Sequence, residues 1–149
     1  MNYYQECEKV GDELFTSWAN KVGCFTEMER QDLYSRCDWI CKTSKGLVVN
    51  CELKVRDSLN WPTIFVEIGK YQYLIDKWKE ENIIPLYINM SGDTVLVFDL
   101  RKVKPIKRTT VRIWSKPDKC YKWVERYELP TDKSCKFING IQIKRNINK

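Results

Sequence analysis

The chain has 149 residues, 43% of them hydrophobic and 13% aromatic, which fits one folded domain and excludes a disordered chain. Its run lengths fall short of the roughly 18 apolar residues that span a bilayer, and the opening MNYYQECEKV lacks the basic and apolar regions of a secretory leader, so a soluble intracellular protein with no membrane partner is expected. The formal charge of +6 hides a division, 11 Lys and Arg against 16 Asp and Glu in residues 1 to 100 but 15 against 4 in residues 101 to 149, which points to a polyanion, nucleic acid first, beside a carboxylate site.

In chain order, Cys7, Val10, Leu14, Trp18 and Val22 recur at spacings of three and four. That period marks an amphipathic helix over about residues 4 to 22, stopped at Gly23. Glu6, Glu13 and Ser17 lie along one flank of its apolar stripe. From there Glu13 either reaches a site at the sheet edge or simply faces solvent. Residues 24 to 36 are polar and weakly patterned, a connection with a short extended piece.

Residues 37 to 56, CDWICKTSKGLVVNCELKVR, form the most informative stretch and read as a β-hairpin about the turn cluster Thr43-Ser44-Lys45-Gly46. The second arm alternates: Leu47, Val49, Cys51, Leu53 and Val55 on one face, Asn50, Glu52, Lys54 and Arg56 on the other. A three-residue loop with Gly46 in the left-handed position pairs Thr43 with Leu47 and brings Asp38 opposite Glu52. A loop of two or four residues sets Asp38 against Cys51 instead and sends the carboxylates to opposite faces.

After a break at residues 57 to 62, Pro62 or Thr63 is placed to begin a second amphipathic helix. Ile64, Ile68, Tyr71, Ile75 and Trp78 carry its period, and it ends near Glu81 and Asn82. Residues 83 to 90 and 94 to 100 are strands joined by Ser91-Gly92-Asp93, an antiparallel hairpin. Residues 101 to 108 are a basic connection, 110 to 114 and 121 to 129 read as short strands or a peripheral ribbon, and 132 to 149 as a basic tail with weak structure signals. The expected organisation is a core over residues 1 to 104 and a basic C-terminal β extension, 105 to 149, packed on the same domain.

Histidine is absent and the seven cysteines form no CxxC pair. Ser/His and Cys/His catalysis are thereby excluded, and Cys37, Cys41 and Cys51 read as small core residues rather than zinc ligands. Acid-base chemistry falls to carboxylates, lysine, tyrosine or metal-bound water.

The order helix, hairpin, helix, hairpin, with Asp38 and Glu52-Leu53-Lys54 on the first hairpin, resembles the PD-(D/E)XK nuclease superfamily over about residues 5 to 100. In size it is similar to small single-domain members such as Holliday junction resolvases. The resemblance implies an α/β fold of the restriction-endonuclease-like kind, with a mixed sheet between helices. Position by position, Asp38 matches the first aspartate, Glu52 the second acidic residue and Lys54 the lysine. Cys37 stands where the motif has proline. Glu13 matches more loosely the glutamate that some members add from their first helix. Lys70 or Gln72 falls where some place a polar residue on the next helix, although Asp76 in place of tyrosine breaks the QxxxY pattern.

What the resemblance implies chemically is a Mg²⁺ (or Mn²⁺) ion held by Asp38, Glu52 and the Leu53 carbonyl, with Lys54 orienting the attacking water or stabilising phosphate charge. Arg56 on the same face is a candidate phosphate contact. Lys107, Arg108 and Arg112 belong to the basic segment expected to grip the nucleic-acid backbone. The expected function is metal-dependent hydrolysis of DNA phosphodiesters, branched or structured DNA included, by a protein that the resemblance makes a candidate homodimer. The alternative from another class is a catalytically inactive nucleic-acid-binding or protein-binding module on the same fold.

Overall fold

The computed structural model describes residues 3–32 and 35–143. Its organising element is the hairpin of β2 (Trp39–Lys42) and β3 (Val48–Val55). Thr43 N–H donates to the Leu47 carbonyl at 3.0 Å and Gly46 N–H to the Thr43 carbonyl at 2.9 Å, while Gly46 sits at φ +79°. The loop is therefore Ser44-Lys45-Gly46, and the register runs from Lys42 opposite Val48 to Trp39 opposite Cys51. Of the loop lengths open in the sequence, the three-residue one is realised.

Around this hairpin stand α1 (Tyr3–Val22), β1 (Glu27–Arg30), β4 (Thr63–Glu67), α2 (Ile68–Glu81), β5 (Ile84–Ser91) and β6 (Thr94–Asp99). A long ribbon of β7 (Lys107–Ser115) and β8 (Cys120–Pro130) follows. One 3-10 turn, Thr131–Lys133, then leads to β9 (Cys135–Ile138) and β10 (Ile141–Ile143). Seven strands form a mixed sheet in the order β1-β2-β3-β5-β6-β9-β10, and three form a smaller one, β4-β8-β7. The β3–β5 pair is parallel, with α2 in its crossover, and the other pairs are antiparallel. No helix among the described residues is long and apolar enough to cross a membrane.

Period-two alternation assigns the two faces of the large sheet. Val49, Cys51, Ile88, Met90 and Val95 pack beneath Phe15, Trp18 and Ala19 of α1. Tyr87, Leu96 and Phe98 point the other way, toward Leu74 and Ile75 of α2 and Ile64, Val66 and Leu129 of the small sheet. The polar face of β3 thus lies on the α2 side, where the layers close over it: Asn50 is 2% and Glu52 4% exposed.

Three expectations need correction. Residues 63 to 67 are a strand, because Ile64 and Val66 alternate into the core and all five residues pair with β8; α2 starts only at Ile68. The two segments after residue 105 are longer than expected, nine and eleven residues, and join β4 in a sheet of their own. The stretch from 132 is not a weakly structured tail: β9 completes the large sheet beside β6, and β10 turns back on it through Asn139 (φ 52°) and Gly140 (φ 78°). Residues 144 to 149 of that stretch lie outside the described residues.

Since Gly46 is held at positive φ in open space, Gly46→Ala should cost about 1 kcal/mol in urea denaturation and Gly46→Asn less, because asparagine tolerates this region. Equal losses in the two variants would contradict the three-residue loop.

Candidate functional site

β2 leaves β3 at Trp39, and the departure is made by Asp38. Its N–H donates to the Cys51 carbonyl at 3.2 Å, and its Oδ2 accepts from the Leu53 N–H at 2.8 Å. Asp38 brackets Glu52 from both sides along β3. The carboxylate does for Leu53 what a further strand residue would have done, satisfying an amide where pairing stops. A second tie comes from Arg30, whose Nη1 donates to the Asp38 and Gln31 carbonyls, both at 2.8 Å. Arg30 Nε in turn donates to Asp12 Oδ2 at 2.9 Å, and Asp12 Oδ1 accepts from Trp39 Nε1 at 2.9 Å. The segment around Asp38 is thus strapped to α1 on one side and β3 on the other.

Glu52 faces α2, whose first turn supplies Lys70. Lys70 Nζ lies 3.0 Å from Glu52 Oε1. Burial nevertheless dominates: it pushes the Glu52 carboxyl up to about 7, with the Asp38 and Glu67 charges adding to the rise and Lys70 opposing it. For Lys70 the same burial works against the charge, but Glu52, Glu67 and Asp38 outweigh it and raise its ammonium to about 12. Lys54, exposed at its surface, is held below the ordinary lysine range by the protein around it and by the Lys70 and Arg56 charges, against the pull of Glu67 and Glu52. Five charged side chains, Asp38, Glu52, Lys54, Glu67 and Lys70, therefore feel one another at the C-terminal half of β3.

Beneath them Arg56 is a structural clamp. Its Nε donates to Asn89 Oδ1 at 2.7 Å, and its Nη2 donates to the Phe65 carbonyl at 2.7 Å and to Tyr87 Oη at 3.0 Å. Tyr87 Oη also donates to the Phe65 carbonyl at 2.7 Å. This cluster ties β3 and β5 to the free edge of β4. Because Glu67 ends β4 and Lys70 lies in the first turn of α2 just after it, it also bears on their distance from Glu52. Its engaged donors leave Arg56 only the Nη1 pair for a phosphate.

The remaining sequence candidates are dispersed. Glu13 is exposed in a shallow depression with Gln5, Glu8, Lys9 and Asp12, and among the described residues no hydrogen bond or ion pair joins it to Asp38 or Glu52. Gln72 Nε2 donates to Asp76 Oδ1 at 2.8 Å on the exposed side of α2. Lys107, Arg108 and Arg112 lie on β7, where Arg108 pairs with Glu125 at 3.0 Å and Arg112 stacks 4.4 Å from the Tyr121 ring centre. The structure adds Asp12, Arg30 and Glu67 to the surroundings of Asp38 and Glu52. The alternation of Thr63-Ile64-Phe65-Val66-Glu67 was a signal for the last; the tie between Asp12 and Arg30 has none in local sequence.

No family model matches this chain, and no curated protein matches it in sequence. Among solved structures it is similar to Hjc of Archaeoglobus fulgidus, a Holliday junction resolvase from an archaeal hyperthermophile. The TM-score is 0.54 with 8% identity over 81% of this chain and 84% of that one. The likeness shows the fold: a mixed sheet with two helices, restriction-endonuclease-like, as in the resolvase.

The Glu52 pKa has a consequence for stability. An unfolded glutamate titrates near 4.3, so between there and about 7 the folded state binds the extra proton. Stability is full below that window and falls as pH rises through it, by about 4 kcal/mol at most. Denaturation in chelator at pH 4.5 to 8 should show this decline in the wild type and a flatter profile in Glu52→Gln. Parallel profiles would remove the case for a buried, proton-hungry Glu52.

Proposed function

We propose that the chain is a Mg²⁺-dependent nuclease that hydrolyses DNA phosphodiester bonds, with branched DNA as its first candidate substrate. One observation carries the reading: the Asp38 carboxylate brackets Glu52 across the split between β2 and β3, and Lys54 follows on the same strand face. The fold shared with a Holliday junction resolvase supports it.

The residues present fit a divalent ion. Asp38, just before β2, and Glu52 on β3 offer hard oxygen donors. Burial drives Glu52 upward and the Asp38 charge adds to it; a cation between them would relieve both. Among the described residues no group of three or more acidic, thiol or imidazole side chains could hold a metal ion; Mg²⁺ keeps waters and substrate phosphates as most of its ligands. Asp38, Glu52 and the Leu53 carbonyl would hold it, and when bound it supplies a water-derived nucleophile and neutralises phosphate charge.

The chain's own side chains do the rest. Lys54 places a compact ammonium where charge builds on the attacked phosphate, and its lowered pKa eases donation of a hydrogen bond to the attacking water. Asp38, fixed by the Leu53 amide, cannot swing away as charge redistributes. Lys70, partner of Glu52 in the structure, is free to turn to the substrate once Glu52 holds a cation. The basic extension from 105 to 149 supplies backbone affinity. Resolving a junction needs cuts in two strands, so the proposal includes a homodimer.

A second reading, a catalytically inactive nucleic-acid-binding module, draws on the Lys70–Glu52 ion pair, which already neutralises the buried carboxylate. Lys54→Ala separates the two. The nuclease reading expects cleavage to fall about 100-fold or more, with binding of the same DNA in chelator nearly unchanged. Wild-type protein that cleaves neither single-stranded, duplex nor four-way DNA with Mg²⁺ or Mn²⁺ would overturn it in favour of the module.

A further inference from the structure

The ribbon of β7 and β8 carries a surface that the core does not use. β8 pairs with β4 only from Arg126 to Pro130; from Cys120 to Glu125 its partner is β7 alone. Six residues at about 3.4 Å each make a two-stranded projection of about 20 Å. Its register sets Arg112 opposite Trp123 and Trp114 opposite Tyr121, so all four side chains share one face. Trp114 is 51%, Tyr121 58% and Trp123 72% exposed.

Aromatic residues on a ribbon can serve simply to hold it together. That accounts for Tyr121, whose ring meets Trp114 edge-on at 5.1 Å and lies under the Arg112 guanidinium at 4.4 Å. It does not account for Trp123, which makes no ring contact among the described residues and is, at 72%, the most exposed of their large apolar side chains. A lone, flat indole beside an arginine has the form of a stacking platform. Its surroundings state the charge of what stacks: the register sets Arg108 and Arg112 on the Trp123 face with Glu125 the one acidic residue there, and Lys116 and Lys119 lie in the turn at the tip, while Lys107, Lys122 and Arg126 are on the opposite face. Position completes the argument. The ribbon is rooted where Arg126 pairs with Glu67, the residue whose charge acts on Glu52, Lys54 and Lys70. Trp123 stands three residues, about 10 Å, from that root.

We propose that this face binds unpaired DNA strand leaving the candidate site, with Trp123 stacking on a base, Arg112 supporting it and the ribbon's lysines and arginines following the phosphates. The identity of the occupant rests on the nuclease reading. It sharpens the substrate from DNA in general to DNA that presents unpaired nucleotides beside the scissile bond. A paired duplex hides the base faces that such a platform needs, whereas a strand end, flap or open junction centre exposes them.

Binding of fluorescent oligonucleotides to the full chain in chelator tests it without cleavage. Trp123→Ala should weaken binding of an oligo-dT single strand about tenfold, leave a blunt duplex of equal length within twofold, and leave the salt slope unchanged, while Trp123→Phe retains most of the affinity. Unchanged melting temperature keeps the comparison to surface chemistry. Equal losses on single strand and duplex, or no loss on either, overturn the assignment. So does a Trp123-dependent attachment to anionic lipid vesicles without one to oligonucleotides, which would make the ribbon a membrane contact. Cleavage is scored separately: a wild type that cuts nothing yet binds single strands through Trp123 ends the nuclease reading alone, and a wild type that cuts while Trp123→Ala binds normally ends the ribbon assignment alone.

Discussion

A carboxylate buried at 4% exposure is the constraint on which the arrangement turns. Glu52 is on β3 between β2 and β5, its neighbours of the opposite phase pack against α1, and its own face is closed by α2 and the small sheet. Transfer of an unpaired carboxylate to such a place is prohibitive, and the usual relief is a partner or a proton. Both are visible here. Lys70 stands at 3.0 Å, yet burial and the nearby Asp38 still win, and the carboxyl rises to about 7. Lys70 offsets only part of the cost of burying this carboxylate, and the pair is left unbalanced.

The surrounding network reads as the machinery that keeps this imbalance in place. Arg56, Tyr87 and Asn89 fasten β4 to the large sheet at the Phe65 carbonyl, and Lys70 follows β4 within three residues. Arg30 and Asp12 fasten the backbone at Asp38 to α1. Each clamp uses backbone carbonyls as acceptors, so each fixes main chain rather than one rotamer. A strand surface that alternation alone would leave solvated is, at Asn50 and Glu52, buried and anchored.

How much of this could be read in the sequence depends on the range of the interactions. The hairpin register was narrowed but not decided by sequence, since Gly46 favours the three-residue loop that the structure realises, and α1, β5 and β6 were legible because their periods are strong and local. Residues 63 to 67 were not, since a proline followed by Ile64 and Ile68 imitates a helix start, and the strand that overrides it, β8, lies some sixty residues away. The hairpin of β9 and β10 was legible in principle: Asn139-Gly140 between two apolar runs is a strong short-range turn signal. It was obscured by the basic composition around it. On α1 the sequence pointed to Glu13 where the structure uses Asp12. One residue is about 100° of helix, and amphipathic period does not resolve which border residue meets a tryptophan on another strand.

The likeness to an archaeal resolvase at 8% identity follows from the same division. What places the two carboxylates is a loop length, a strand period and two backbone hydrogen bonds, none of which prescribes many side chains. Position 37 illustrates it. The thiol of Cys37 is buried, donates to the Trp39 carbonyl at 3.0 Å, and is pushed up to about 12 by burial and by Glu52 and Asp38, which hold it neutral. The bond that matters beside it is from the Asp38 amide to the Cys51 carbonyl, and this needs nothing from residue 37 except that the chain turn away from β3. The charges that set the balance at Glu52 are those of Asp38, Glu67 and Lys70, acting against its burial.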